Sequence, residues 1–258
     1  IELLDGDGKL VRRMPQFWGD SAVFTIIDGP DKSLNLLAAR INNDYQRIGI
    51  VNNKILDPSV RGFDSVPQGH TFVGGWASQD RHHLFYDDIN GDGVKEVISE
   101  INGSWNRVQV WTPDGKPLYD ATLGPGERPP VINLRDLDIA DFDGDGKKEI
   151  VAATFKGFVI MLDNQCRKIW SKRLPKPPSK MKCITPLKNT PPLIIVGCED
   201  GSVFVLNGKG DIIKKGSIGG NPTCIDEIEL ISGGNGVLLS TDNGDVVLFN
   251  LSDKDTRR

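Results

Sequence analysis

The chain has 258 residues, 38% hydrophobic and 7% aromatic, with 29 glycines and 16 prolines. That is enough for a large core, and the many turns favour short strands over long helices. A net charge of −4 and a pI near 5.5 give no electrostatic reason to expect nucleic acid, and no segment has the apolar length of a membrane span, so no membrane insertion is expected.

Along the chain one pattern recurs: an apolar strand, a polar turn of Asp, Asn or Gly, then a second strand. It begins with "ELLDGDGKLVRR", continues through "GIVNNKILD", "QVWTPDGKPLYD", "VIMLDNQCRKIW" and "VFVLNGKGDIIKK", and ends with "VVLFNLSDKD". Anchored on Asp5, Asn52, Thr112, Asp163, Asn207 and Asn250, the copies lie 43 to 60 residues apart, one four-stranded unit per interval. A unit of this length buries neither face of its sheet alone and must stack on its neighbours, which is the logic of a β-propeller; an irregular sandwich is the rival.

The expected fold is therefore all-β, a single propeller domain over 1–258 built from four-stranded antiparallel blades. A partial blade covers 1–13, and five complete blades cover about 20–58, 81–122, 133–174, 180–217 and 222–256. A long inter-blade loop at 57–80 carries His70, Phe72 and Trp76, and a shorter one, "GPGERPP", covers 124–130. Because the chain begins at Ile1, with neither Met nor signal peptide, it is expected to be a processed or excised part of a larger multidomain protein.

Two blades carry an acidic loop after their first strand. "YDDINGDGVKEVI" places Asp88, Asn90, Asp92, Val94 and Glu96 at the same spacing as Asp141, Asp143, Asp145, Lys147 and Glu149 in "ADFDGDGKKEI". Like charges so close need a cation or must stand apart. Alternating oxygen side chains, glycines that let the backbone fold back, and a closing carboxylate suit a hard cation, and a flexible loop offering six or seven oxygens suits calcium better than magnesium. A helix-loop-helix hand is excluded, because its twelfth position would fall on Ser99 and Ala152. The flanks "EVISEI" and "EIVAAT" read instead as buried strands, with Glu96 and Glu149 reaching in from the start of the second strand. "DGDGK" at 5–9 is a decoy, since it sits in the other hairpin of its unit and lacks a closing acid.

These loops resemble the FG-GAP/VCBS group of propellers, the superfamily that includes the integrin α-subunit head, through D-x-[DN]-x-D-G-x-x-E at 88–96 and 141–149. The resemblance covers nearly all of 1–255. It implies about two calcium ions of structural role and a seven-bladed intact ring. The blade at 20–58 departs from the motif, with Ile27, Gly29, Asp31 and Asn35 at the ligand positions, and is expected to hold no metal.

In such propellers the metal loops lie on one face and ligand recognition comes from the other. His70, Phe72, Trp76, Arg81, His82 and Arg135 are the candidate ligand-binding residues there. "RHHLFY" is expected to put Arg81, His82, His83 and Tyr86 on an inner strand, with adjacent histidines facing opposite ways. With Arg135, Lys180 and Lys182 on the following inner strands, one mouth would be basic and suited to an acidic glycan or carboxylate. Trp18, Trp76 and Trp105 are candidates for stacking on sugars, whereas Trp111 and Trp170 are expected in the core. Cys166, Cys183, Cys198 and Cys224 form no CxxC spacing and read as small buried apolar residues, with a Cys183–Cys224 bridge left open.

The function expected is a non-catalytic recognition module, extracellular, on the cell surface or periplasmic, that binds a glycan or an extracellular protein. Extracellular calcium would fill such loops, while resting cytosolic calcium would not fill weak ones. The alternatives are a polysaccharide lyase acting through His82 or His83, Tyr86 and Arg135, and a quinoprotein-like or assembly-scaffold propeller suggested by "VGCEDGSVFVLNGKGDIIKK". The sequence leaves the ligand and the oligomeric state open.

Overall fold

The computed structural model describes residues 2–13, 21–28, 34–40, 48–51, 82–102, 106–113, 116–124, 133–186, 190–229 and 235–249, all in strands, turns and bends without a helix. No helix among them is long and apolar enough to cross a membrane. The expected loop at 57–80, Arg81, Trp18, Trp105, residues 125–130 and the last strands of the 20–58 and 222–256 blades lie outside the described residues. The chain divides into two compact units, Ile1–Asp88 with Gly93–Val131, and Ile89–Asp92 with Ile132–Arg258.

Among the described residues, the first unit contains three antiparallel sheets. β1 (Glu2–Leu4) pairs with β2 (Leu10–Arg13), and β3 (Ser21–Asp28), β4 (Leu34–Arg40) and β5 (Ile48–Val51) form the second sheet. β6 (Leu84–Asp87), β7 (Glu96–Ile101), β8 (Arg107–Trp111) and β9 (Pro117–Thr122) form the third, each strand beside its predecessor. Ile27, Leu37, Leu84, Val97 and Trp111 pack together between the second and third sheets, with Val23 and Tyr86 at the margin. The Asp5–Lys9 turn is a self-contained hairpin connection, in which the Asp5 Oδ1 accepts the Asp7 and Lys9 N–H groups at 3.1 and 2.9 Å, so its acid is spent on its own turn.

The second unit repeats the arrangement. β10 (Leu134–Ala140), β11 (Glu149–Thr154), β12 (Phe158–Leu162) and β13 (Lys168–Arg173) form one sheet. β14 (Pro178–Ile184), β15 (Leu193–Cys198), β16 (Ser202–Leu206) and β17 (Ile212–Ser217) form the next, followed by β18 (Pro222–Glu229), β19 (Asn235–Thr241) and β20 (Val246–Phe249). Burial falls outward across each four-stranded sheet: all six residues of β11 are buried, β12 nearly so, and β13 is almost wholly exposed. That gradient explains the sequence. The second and third strands are buried on both faces and so read as continuous apolar runs such as "EIVAAT" and "FVIML". The fourth strand carries charge.

Among the described residues of this unit, one core forms around Val151, Met161, Ile194, Val196 and Phe204, and another around Ile195, Val205, Ile225, Val237 and Leu239. The faces meet closely enough that a Cβ on Gly197 would lie 2.4 Å from the Pro222 Cγ. Trp111 is fully buried. Trp170 is only half-buried, against expectation: it packs on the first of these cores while its indole N–H donates to the Gly208 carbonyl at 2.9 Å. The cysteines also differ from expectation. All four are free and no Cys183–Cys224 bridge forms; Cys166 and Cys198 are buried, Cys183 is partly buried and Cys224 is exposed. Burial pushes the Cys166 and Cys198 thiols up to about 12, so both stay protonated and inert.

Adjacent sheets are tied by two aspartates that sequence reasoning left unassigned. The Asp136 Oδ2 accepts the Met181 N–H, and the Asp138 Oδ2 the Cys183 N–H, both at 2.8 Å. β14 is the edge strand of its sheet, and these two of its outward N–H groups find acceptors in side chains of the sheet beside it. Burial raises the Asp138 carboxyl above the ordinary range, against the opposing pull of Lys182, 3.3 Å away, and of the Cys183 and Ile139 N–H groups. Replacing Asp136 with Ala is expected to leave the Met181 N–H buried and unpaired, at a cost of about 1–3 kcal/mol. This should appear as a lower urea midpoint at unchanged slope, and Asp136→Asn, which keeps an acceptor oxygen, should lose less.

Candidate metal centre

The loop between β10 and β11 is shaped by its own carboxylates and glycines. The Asp141 Oδ1 and Oδ2 accept the Gly144 and Gly146 N–H groups at 2.7 and 3.0 Å. The Asp143 Oδ1 accepts from Asp145 at 3.1 Å, and the Asp145 Oδ1 from Lys147 at 2.8 Å. Such a winding needs left-handed residues, and Gly144 and Gly146 supply them at φ of 77° and 84°. Glu149, the first residue of β11, turns back so that its Oε2 accepts the Phe142 N–H at 2.9 Å.

Carboxylate oxygens of Asp141, Asp143 and Glu149 lie within 4.8 Å of one another, the group of this kind found among the described residues. Two oxygens on one ion at 2.3–2.6 Å stand at most about 4.6–5.2 Å apart, so the three could share a cation. Asp145 is not in that group; it faces Lys147, with 3.6 Å between the Oδ2 and the Nζ. Glu149 is 7% exposed, and burial raises its carboxyl, with Asp143, Asp141 and Asp145 pushing the same way against the Phe142 N–H. As it stands, the loop concentrates negative charge around a partly desolvated carboxylate.

The loop at 88–96 shows related winding. Gly91 and Gly93 adopt φ of 76° and 86°. The Gly93 N–H donates to the Asp88 Oδ2 at 2.8 Å, and the Asp92 N–H to the Asn90 Oδ1 at 2.8 Å. Glu96 begins β7 and is buried, while Val94 is exposed. The segment Ile89–Asp92 packs on the second acidic loop: the Lys148 N–H donates to the Ile89 carbonyl at 2.9 Å, and a Cβ on Gly91 would meet the Gly146 carbonyl oxygen at 3.0 Å.

The residues expected on the opposite face are arranged differently from the sequence reading. His82 and His83 precede β6 rather than lying in it, so strand alternation does not orient them. Both are held by Glu100, a fully buried carboxylate that accepts the His82 N–H at 2.6 Å, the His83 N–H at 3.1 Å, and stands 3.0 Å from the His83 Nδ1. Burial alone would raise the Glu100 carboxyl; His83 and the His82 N–H hold it below the ordinary range instead. Tyr86 lies in β6, half-buried, with the Lys95 ammonium 5.1 Å from its ring centroid.

Arg135 lies in β10, paired with Glu199 at 2.8 Å and with its guanidinium 5.1 Å from the Phe155 ring centroid. Arg135 is thus paired with Glu199, and Lys182 with Asp138 at 3.3 Å. His70, Phe72, Trp76 and Arg81 fall outside the described residues.

With this geometry in hand, comparison with known proteins bears on the fold. The model of the lambda-carrageenase β-propeller domain matches residues 107–218. Among solved structures, BBS1N in complex with ARL6DN is similar at a TM-score of 0.63 and 12% identity, over 89% of this chain and 66% of that one. Saccharomyces cerevisiae Sqt1 is similar at 0.68 and 13%, over 96% of this chain and 65% of that one. Chaetomium thermophilum Sqt1 bound to the N-terminus of the ribosomal protein L10 is similar at 0.63 and 14%, over 96% and 64%. The chain thus spans slightly under two thirds of the length of these structures, and at such identities the likeness shows the fold alone. No match is found among curated proteins. The sheets are blades, and the fold is a β-propeller.

Glu149 generates a pH prediction. Its folded carboxyl is raised above the unfolded one, so its contribution to stability is fully present below the unfolded pKa and is lost as pH rises through the folded value. In chelator, the urea midpoint is expected to fall as pH rises through that window, and Glu149→Gln should reduce the fall. Equal pH profiles for the two proteins would contradict this electrostatic account.

Proposed function

We propose that this chain is a calcium-stabilised, non-catalytic propeller module whose task is recognition, with a carbohydrate or a protein as its partner. The observation that carries the metal part is the convergence of Asp141, Asp143 and Glu149 within 4.8 Å, from a hard oxygen donor set in a wound loop. A flexible loop offering only oxygen donors suits calcium better than magnesium, which demands near-ideal octahedral geometry. Asp145 and the Lys147 carbonyl would complete the shell by a small turn of the loop. Asp88, Asn90, Asp92, Val94 and Glu96 would hold a second ion, in keeping with the resemblance to FG-GAP/VCBS repeats.

Calcium here would neutralise the charge around Glu149 and fasten β10 to β11, a structural part. Recognition is supported by the company the fold keeps. The matching family model is that of a carrageenase propeller domain, and the solved relatives include propellers bound to ARL6 and to ribosomal protein L10. Sites of moderate calcium affinity fit an extracellular, cell-surface or periplasmic setting. The lyase reading has less support, because Arg135, its proposed carboxylate neutraliser, is already paired with Glu199.

Thermal unfolding with calcium and with chelator tests the proposal. Calcium at 100 times its Kd contributes about 2.7 kcal/mol, roughly a 5–10 °C rise for a chain of this size, and Asp143→Ala should abolish most of it. Equal midpoints in calcium and chelator would overturn the metal assignment.

A further inference from the structure

The acidic loop and the hairpin turns at 163–167 and 207–211 lie at one end of the strands. At the other end, the β11–β12 turn meets the link from β13 to β14. There Phe155, Lys156, Gly157, Arg173, Leu174 and Lys176, with Pro175 and Pro177, line an open cavity of about 490 Å³, within the range of small-ligand sites. We propose that this cavity binds the anionic group, carboxylate or sulfate, of an acidic saccharide. The proposal rests on the recognition reading above and gives it a site and a ligand class.

Charge is the first reason. Residues 164–198 hold eight lysines and arginines and no aspartate or glutamate, in a chain of net charge −4. Two of these cations, Arg173 and Lys176, converge here with Lys156 from the neighbouring turn, and no acid lines the cavity. The nearest acid to Lys176 is Asp200 at 3.5 Å, with both side chains well exposed. An exposed pair of this kind is weak, and a ligand anion displaces it at little cost.

The second reason is what the backbone does not offer. The Leu174 N–H donates to the Gly157 carbonyl at 2.7 Å, the Gly157 N–H to Thr154 at 3.0 Å and the Glu199 N–H to the Pro177 carbonyl at 3.1 Å, while the Lys176 carbonyl accepts from the Cys198 thiol at 3.6 Å. Pro175 and Pro177 have no N–H. An extended peptide that pairs through its main chain finds few partners on these walls. A saccharide acid instead uses cationic donors on side chains and apolar surface from Phe155 and the prolines against the CH face of a sugar ring. The Phe155 ring is held by the Arg135 guanidinium, 5.1 Å from its centroid, which Glu199 anchors.

Calorimetric titration of the full chain in calcium buffer tests this, using a sulfated, a uronate and a neutral oligosaccharide of equal length, and an oligoglutamate peptide. One or both acidic sugars should bind and the neutral one should not, the binding arm identifying the anion. An Arg173→Ala, Lys176→Ala double variant should weaken binding about 10-fold or more, since charge-assisted hydrogen bonds are lost, at an unchanged thermal midpoint. Lys209→Ala, in the 207–211 turn at the other end, should bind as the parent does. Acidic sugars that bind the double variant equally well would overturn the cavity while leaving recognition standing. Preference for oligoglutamate, sensitive to the double variant, would overturn the saccharide. Failure of every anion to bind would overturn the proposal, and the calcium dependence of the midpoint in the same samples tells separately whether the metal reading fails with it.

Discussion

The first strand of every sheet is an edge, and its outward N–H groups must be satisfied by something other than a fifth strand. In the second unit that constraint is met by Asp136 and Asp138, whose carboxylates reach from β10 to the Met181 and Cys183 amides of β14. An unpaired amide buried there would cost about as much as a lost hydrogen bond. The carboxylates that meet the need are themselves desolvated, as the raised Asp138 carboxyl records. The fold therefore accepts buried charge on its innermost strands to hold neighbouring sheets in register. The burial of β11, β12, β15 and β16 on both faces accompanies that register.

The acidic loop extends the same economy of charge by a few residues. Asp141 follows β10 directly and Glu149 opens β11, so the strand pair itself sets the separation of two of the three converging carboxylates. Gly144 and Gly146 let the intervening chain double back so that Asp143 joins them. The backbone N–H groups that Asp141 and Asp143 accept compensate part of the charge, and a calcium ion would compensate the rest. Function then separates along the strands. One end is occupied by acid and, on our reading, metal; the other gathers Lys156, Arg173 and Lys176 around an aromatic and proline wall.

Much of this is legible in the sequence for physical reasons. Strands buried on both faces must be apolar throughout, which is why "EIVAAT" and "FVIML" announce themselves, and glycine at the left-handed positions marks the loops. The all-β propeller follows from those runs repeating at a spacing too short for a unit to bury itself. What stayed hidden depends on partners distant in sequence. Asp136 and Asp138 at alternate positions look like the polar face of a strand until β14 is placed beside them. His82 and His83 read as strand residues because nothing local shows that Glu100, 17 or 18 residues on, captures their amides. Cys224, apolar by type, is exposed because its neighbour Ile225 takes the core-facing position on β18, and adjacent strand residues face opposite ways. The basic cavity joins a turn to a link some 20 residues later, so neither stretch signals it alone.

The central claim is that a cation at Asp141, Asp143 and Glu149 fastens β10 to β11. Hydrogen exchange of individual amides, with and without calcium, tests it most directly, because it reads the loop itself rather than the whole molecule. The account predicts that calcium slows exchange at the Gly144, Gly146 and Lys147 amides and along β10 and β11, and leaves the β16–β17 turn unchanged. Identical exchange at those amides in saturating calcium and in chelator would contradict it.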